Sequence, residues 1–197
     1  MLRPLTGRLR QPWGSAVDWV VTIMLAVAVV LAFQAEVAKP YRIPSSSMEP
    51  TLHCARPAPG CDARVSDRVV ANRLAYRFRE PRRGEEVVFE APAAAARACP
   101  PGGVFVKRIV GLPGEIVAER DGHVTVDGRT LVEAYVDDAH RDRLTRTWHR
   151  VPSGSYIVMG DNRANSCDSR TWGTVPRSAL IGPVLMTYWP PDRLRVH

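Results

Sequence analysis

The chain has 197 residues, enough for one domain of ordinary size with a small insert. Its hydrophobic content of 45% and charged content of 24% exclude a chain that is disordered throughout. The formal net charge of +7 suits an anionic membrane surface. Because the basic residues occur mostly singly or in pairs and form no long run, we predict no nucleic-acid partner.

The N-terminal region combines a basic tail with an uncharged apolar run. Arg3, Arg8 and Arg10 precede the first acid, Asp18, and no charged residue occurs in residues 19–35. That run is near the lower limit of the roughly 17–25 residues that span a bilayer as a helix. We therefore predict a cytoplasmic tail at residues 1–18 and a transmembrane anchor at residues 19–38. A cleaved signal peptide is the alternative, but no pair of small residues at −3 and −1 follows the run.

After the predicted anchor, short segments rich in Val, Ile, Phe and Tyr are bounded by Gly, Pro or Asp, as in β-strands. The hairpin-turn dipeptides Asp121-Gly122 and Asp127-Gly128 flank one of them. The pattern predicts a mostly-β fold, with an all-β domain at residues 39–113 and 153–197, a small β insert at 114–152 and a loop at 91–103. The predicted strands are residues 68–73, 86–89, 104–110, 123–126, 156–159 and 185–189.

The four cysteines indicate two disulfides in an oxidising compartment. A zinc site would need paired ligands such as C-x-x-C, which the sequence lacks. A proline- and glycine-containing segment could turn the chain between Cys54 and Cys61, which makes them the first predicted pair. Cys99 with Cys167 then follows by elimination.

The segment at residues 43–52 contains three consecutive serines, Ser45, Ser46 and Ser47. A flexible serine-rich linker is one interpretation. Pro44 and Pro50 bracket the serines and restrict the backbone, which favours a loop that holds one hydroxyl in place.

Lysine is rare in this chain, because only Lys39 and Lys107 among its 27 basic residues are lysine. Side chains alternate on a strand, so Phe105, Lys107 and Ile109 share one face. A solvated lysine is the alternative interpretation. A buried lysine has a lowered pKa, however, and its neutral amine can take the proton of a serine hydroxyl, which arginine cannot do.

The segment at residues 160–170 is dense with side chains that hydrogen-bond locally, which predicts a tight, ordered loop. Ser166 could orient the lysine amine there, and Asp168 could form an ion pair with Arg170.

These three segments together resemble the type I signal peptidase family. The family patterns P-S-x-S-M-x-P-T-L, K-R-x-x-G-x-P-G and G-D-N-R-x-x-S-x-D-S-R occur in this order between residues 41 and 189. The resemblance implies Ser47 as the nucleophile and Lys107 as the general base. The implied supporting residues are Ser45 in the oxyanion hole with the Ser47 N–H, Ser166 bonded to the lysine, Asp161, Arg163, Asp168 and Arg170 as structural supports, and Ile43 with Pro44 at the substrate.

The resemblance also implies a function. It predicts a membrane-bound serine endopeptidase that removes signal peptides from exported preproteins, cuts after small residues (A-x-A), and needs no metal or cofactor. The predicted partners are secretory preproteins, the lipid bilayer and the protein-export machinery. The predicted location is the cell membrane, as a single-pass protein with a cytoplasmic N-terminus and the catalytic domain on the extracytoplasmic side.

Two positions depart from the family pattern. Glu85 replaces an aspartate, and Phe105 stands where tyrosine is frequent.

Three other functions are the alternatives. A self-cleaving Ser/Lys repressor would lack the apolar segment and carry a helix-turn-helix pattern, and an inactive binding module would not need both Ser47 and Lys107. A Ser-His-Asp protease would use one of His53, His123, His140 and His149, but no G-x-S-x-G motif is present.

Overall fold

A computed structural model describes residues 12–99, 103–148 and 150–197, with backbone alone for residues 12–16 and 32–36. Residues 1–11 of the predicted tail, with its three arginines, and His149 lie outside the described residues. The chain divides into two compact units, the first ending at Val37 and the second comprising Ala38–His197.

The described part of the first unit is a helix, α1, at Pro12–Val37, which includes the apolar run. Its described side chains are exposed and mostly apolar, from Val17 to Leu31. Within the described part of the chain, no helix combines the length and the apolar character needed to cross a membrane. The predicted membrane-spanning anchor at residues 19–38 is therefore not supported.

The second unit is mostly β, which confirms the predicted class of the catalytic domain. Its short α-helices are α2 (Ala75–Phe78), α3 (Ala93–Ala98) and α4 (Ser169–Trp172). Single 3₁₀ turns occur at Ser46–Met48, Arg163–Asn165, Arg177–Ala179 and Pro191–Arg193. The strands are β1 (Ala38–Arg42), β2 (Arg68–Asn72), β3 (Glu86–Glu90), β4 (Val104–Gly111), β5 (Val117–Arg120), β6 (His123–Val126), β7 (Arg129–Thr130), β8 (Arg146–Thr147), β9 (Ser155–Met159), β10 (Val175–Pro176), β11 (Leu180–Trp189) and β12 (Arg195–Val196).

The larger sheet has the order β1-β2-β11-β3-β4-β9-β10, with β12 paired to β11. All its pairs are antiparallel, and β11 pairs with β3 through its first half and with β2 through its second half. Strand β4 lies between β3 and β9 and is paired along both edges. A side chain on β4 is therefore held by a rigid backbone.

The smaller sheet has the order β7-β6-β5-β8 and falls within the predicted insert at residues 114–152. Both predicted hairpin turns form. Asp121 and Asp127 have φ of 48° and 49°, and each is followed by a glycine with positive φ, as a type I′ turn requires.

The predicted loop at residues 91–103 is wrong in part, because it contains α3. Alanine has the best intrinsic helix propensity, and this helix begins with four consecutive alanines before Arg97. Ala95 is buried against a core cluster that includes Phe89 and Trp172. Packing on this core therefore turns an alanine-rich loop into a short helix.

Candidate active site

The three serines lie at a sharp bend between β1 and β2. Ser45 is extended, and residues Ser46–Met48 form a single 3₁₀ turn. The Leu52 N–H donates to the Met48 carbonyl at 2.8 Å, which continues the bend. Met48 and Leu52 are buried beneath it, whereas Ser47 is half-buried and directed to an open cavity. Buried neighbours thus fix the turn that presents Ser47.

Lys107 approaches this turn from β4. Its Nζ donates a hydrogen bond to Ser47 Oγ, across 60 positions of sequence. The side chain is only 2% exposed, and Phe105 and Ile109, on either side of it, both contact the same hydrophobic core cluster. The predicted alternative of a solvated lysine is therefore wrong.

Burial lowers the pKa of Lys107 to about 8. The charges of Asp168 and Asp161 oppose this shift, and the Arg170 charge adds to it. An ordinary lysine is neutral in only about one molecule in 2,500 at pH 7, whereas a pKa of about 8 makes roughly one in ten neutral. The site therefore supplies a free amine next to the serine hydroxyl near neutral pH.

The loop after β9 holds the serine turn in place through hydrogen bonds. The Asn162 N–H donates to the Ser47 carbonyl at 3.2 Å, and its side-chain amide donates to the Ser46 carbonyl at 3.1 Å. Asn165 Nδ2 donates to Ser46 Oγ at 2.9 Å. Sequence analysis did not single out either asparagine for this role, although both lie within the third motif.

Asp168 and Arg170 form the predicted ion pair. Arg170 Nε and Nη2 donate to the two carboxylate oxygens of Asp168 at 2.9 and 2.8 Å. Asp168 also accepts from the Gly160 N–H at 3.0 Å. Burial alone would raise the pKa of Asp168, but its hydrogen bonds and attraction to Arg170 outweigh this effect and lower it. Asp168 is thus ionised, and its negative charge acts on Lys107.

Asp161 and Arg163 are also buried, and each forms an ion pair with a different residue. Arg108 Nε donates to Asp161 at 2.8 Å. Arg163 donates to both carboxylate oxygens of Glu133, one of them at 3.1 Å, and its Nε donates to the Gly160 carbonyl at 3.0 Å. Glu133 belongs to the predicted insert, and its partner is 30 positions away in the sequence. No local pattern could have indicated this contact.

Ser45 and Ser166, both predicted to support the dyad, differ in their contacts. Ser45 Oγ is 3.3 Å from Ser47 Oγ. Ser166 Oγ is buried but has no hydrogen-bond partner among the described residues, so its predicted bond to Lys107 is not formed. The lysine amine instead bonds to Ser47. A methyl group at Gly160 would lie 2.3 Å from both Ser166 Oγ and the Ser47 carbonyl oxygen, so this position admits only glycine.

The dyad opens into a cavity of about 500 Å³. Ile43 and Pro44, both predicted to contact substrate, line it together with the three serines and Lys107. Its wall is otherwise mainly apolar and includes Tyr41, Met48, Val104, Phe105 and Val106. The cavity is thus a place where an apolar segment of a ligand can lie next to Ser47.

The structure contains the two predicted disulfides. Cys54 is bonded to Cys61 across seven positions, and Cys99 to Cys167 across 68 positions. The second disulfide lines the cavity of the dyad, because both of its cysteines contribute to the wall. It joins the segment before β4 to the loop that follows β9.

The two departures from the family pattern have clear surroundings. Glu85 accepts from the Tyr76 hydroxyl at 3.0 Å and forms an ion pair with Arg79 at 2.6 Å. The Phe105 ring stacks on Trp172 with centroids 5.5 Å apart. Glu85 therefore supports the surface around α2, while Phe105 supports the wall of the cavity.

Comparison with known proteins gives a consistent result. The family model described as signal peptidase, peptidase S26, matches residues 16–189. A probable signal peptidase I-2 of Synechocystis is 40% identical over 173 residues, covering 88% of this chain and 73% of the relative. A signal peptidase I of Leptolyngbya laminosa is 38% identical, covering 88% and 79%. A signal peptidase I of Mycobacterium tuberculosis is 33% identical, covering 89% and 73%.

Proposed function

Because the chain belongs to the signal peptidase family, peptidase S26, and is a serine endopeptidase that removes signal peptides from preproteins, we propose that it cuts with a Ser47–Lys107 dyad. The observation that carries this proposal is the hydrogen bond between Lys107 Nζ and Ser47 Oγ, made by a lysine that is 2% exposed. A buried amine of lowered pKa beside a hydroxyl is the arrangement that activates a serine without histidine.

The first half of the reaction acylates Ser47. The lone pair of the neutral Lys107 amine takes the Ser47 hydroxyl proton while Oγ attacks the scissile carbonyl carbon. The carbonyl oxygen becomes an oxyanion, and the Ser45 hydroxyl and the Ser47 N–H donate to it. When the C–N bond breaks, the Lys107 ammonium returns its proton to the leaving amine, and the signal peptide stays as an ester on Ser47.

The second half releases the signal peptide. A water molecule gives a proton to Lys107 and attacks the ester carbonyl, and the same oxyanion donors act again. Collapse of the second tetrahedral intermediate returns the proton from Lys107 to Ser47 Oγ. The dyad is then restored, and no metal or cofactor enters either step.

We further propose that the cavity selects small side chains at positions −1 and −3 of the substrate, before the cleaved bond. In an extended substrate strand, the residues at −1 and −3 point to the same face. Ile43 is buried, and it lines the cavity with Pro44 next to Ser47. A wall of this kind leaves room for alanine at these two positions and would reject larger side chains.

The proposed place of action is the outer side of a membrane, where exported preproteins emerge with their apolar segment in the bilayer. Two disulfides support an oxidising compartment for Ala38–His197. The exposed apolar side chains of α1 support contact with lipid. Protease digestion of intact cells tests this location, because Ala38–His197 should be cut only from outside, and cutting only from the cytoplasm contradicts it.

The activity test uses a purified preprotein with alanine at −3 and −1. The full chain should release the signal peptide, Ser47→Ala should not, and a bulky residue at −1 should block cleavage by the wild type. Cleavage by Ser47→Ala at the wild-type rate would refute the nucleophile, and equal cleavage of the bulky substrate would refute the selectivity.

A further inference from the structure

Glu119 is a buried carboxyl group that the proposed reaction does not use. It lies on β5 of the smaller sheet and is 0% exposed. Neither of its carboxyl oxygens has a hydrogen-bond partner among the described residues. Burying a carboxylate without partners is costly, so such a group is usually either functional or neutral.

The cationic group paired with Glu119 is Arg170, at the point where the active-site loop (residues 160–170) enters α4. Arg170 Nη1 is 3.8 Å from Glu119 Oε1, which is an ion-pair distance without a hydrogen bond. The same guanidinium is bound to Asp142 and, through its other nitrogens, to Asp168. Glu119 is therefore a third carboxyl beside one arginine, and the only one of the three that does not bond to it.

Arg170 and Asp168 connect Glu119 to the dyad. The Asp168 charge raises the pKa of Lys107, and the Arg170 charge lowers it. The net effect of these two charges on the pKa of Lys107 consequently depends on the position of the Arg170 guanidinium. The other charged groups that act on Glu119 are Asp142, Arg163 and Asp168, and its cross-strand neighbour on β8 is Arg146.

We propose that Glu119 is a positioning residue of the active site, which acts on Lys107 through the Arg170–Asp168 pair according to its own state of ionisation. As a neutral acid, Glu119 does not attract Arg170, which stays bound to Asp168 and Asp142. As a carboxylate, it attracts Arg170 and adds a negative charge, and both effects favour protonated Lys107. The inference rests on the proposed role of Lys107 as the base.

The pKa of Glu119 places this change in the working range of the enzyme. Burial raises it to about 7, although the Arg170 charge opposes the shift. Glu119 thus ionises just below the pKa of Lys107, which is about 8. Because Glu119 ionises first and then favours protonated Lys107, the neutral fraction of Lys107 rises less steeply with pH than it would for an isolated lysine.

The lysine content of the chain makes this coupling measurable without turnover. Selective ¹³C labelling of lysine gives two signals, Lys39 and Lys107, and Lys107→Arg assigns them. In Glu119→Gln, which keeps the shape but cannot ionise, the Lys107 midpoint should move to lower pH. The neutral fraction of Lys107 at pH 7 should then rise about two- to threefold, the effect of one partly screened charge.

The matched control is Glu80→Gln, because Glu80 forms an exposed ion pair with Arg177 and should leave the midpoint unchanged. An unchanged midpoint in folded Glu119→Gln overturns the proposal. If that variant does not fold, labelled glutamate in the wild type decides: a Glu119 carboxyl that titrates near pH 7 with a second inflection of the Lys107 signal supports it. A Glu119 carboxyl that stays ionised throughout overturns it. A wild-type Lys107 with an ordinary pKa would instead refute the proposed base.

Discussion

Lys107 differs from the basic side chains around it because it alone can lose its proton. Arg108, Arg163 and Arg170 are all buried or nearly so, and each is fixed in carboxylate pairs. Arginine keeps its charge under these conditions, whereas burial of a lysine favours the neutral amine. In this site the arginines therefore supply the fixed charges of the ion pairs, and the lysine supplies the group that can exchange a proton.

The first prediction concerns this difference. Lys107→Arg keeps the positive charge but removes the base, so kcat/KM for preprotein cleavage should fall by at least about 10³-fold, as in Ser47→Ala. Circular dichroism should show that the fold is retained. Substantial turnover by folded Lys107→Arg would show that another group accepts the Ser47 proton.

Ser45 provides the second prediction. Its hydroxyl is exposed and lies 3.3 Å from Ser47 Oγ, where it can reach an oxyanion formed on the substrate. Ser45→Ala should lower kcat by about 10²-fold with little change in KM, because the bond is made mainly in the transition state. Ser153→Ala, in an exposed turn, serves as the control. A rise in KM at unchanged kcat would assign Ser45 to substrate binding instead.

At this scale the sequence indicates the reactive groups better than their supports. Ser47 and Lys107 stand out because prolines bracket one and lysine is rare around the other. Glu119 and Glu133 carry no such signal, because their partners lie far along the chain and meet them only through the fold. Ser166 shows the converse: its motif predicts a bond to Lys107, but its Oγ has no hydrogen-bond partner among the described residues.

At the scale of the elements, the segment between β7 and β8 of the insert contacts the active-site loop near the dyad. This contact includes the buried Arg163–Glu133 pair, in which the side chains are 0% and 2% exposed. The Ala164 N–H also donates to the His140 carbonyl at 2.9 Å. The insert thus holds the loop that in turn holds Ser46 and Ser47.

The third prediction tests this support. Glu133→Ala leaves the Arg163 charge buried without its partner, so the free energy of unfolding should fall by about 3–5 kcal/mol. The control Glu80→Ala breaks an ion pair whose carboxylate side chain is 72% exposed, so the free energy of unfolding should fall much less. Urea denaturation measures both. Equal losses would mean that the Glu133 pair contributes no more than a surface pair.

The strands illustrate what hydrophobic patterns can and cannot predict. The predicted strand at residues 123–126 matches β6, because turn dipeptides bound it on both sides. The strand predicted at 185–189 is the second half of β11, which begins at Leu180. Its first half contains Gly182 and Pro183, residues that disfavour a strand locally and are tolerated here by pairing with β3.

At the scale of the whole molecule, the sequence predicts the mostly-β class and the insert, because short strands and turn residues recur throughout the second unit. It does not predict the course of β11, which joins the two halves of the larger sheet. Such pairings are non-local and depend on packing of the complete core. The apolar run likewise predicts a helix, which forms, but its predicted crossing of a membrane is not supported.

The fourth prediction compares the two disulfides. Closing a loop of 68 residues restrains the unfolded chain more than closing one of seven. In the chain-entropy model, removal should cost about 4 kcal/mol for Cys99→Ser with Cys167→Ser and about 2 kcal/mol for Cys54→Ser with Cys61→Ser. Urea denaturation of the two double variants tests this order. A larger loss for the shorter loop would contradict it.

The central claim, that neutral Lys107 is the base, is tested most directly by measuring one pKa in two ways. The labelled-lysine signal of Lys107 should titrate near pH 8, where burial places its pKa. Since only the neutral amine reacts, kcat/KM for preprotein cleavage should fall in proportion to the neutral fraction of Lys107 as the pH drops below the same midpoint. The two curves should therefore coincide on the acidic side, because Glu119 changes kcat/KM only through the ionisation of Lys107. A Lys107 signal that titrates at the ordinary value of about 10.4, with kcat/KM already constant at pH 8, would contradict the account.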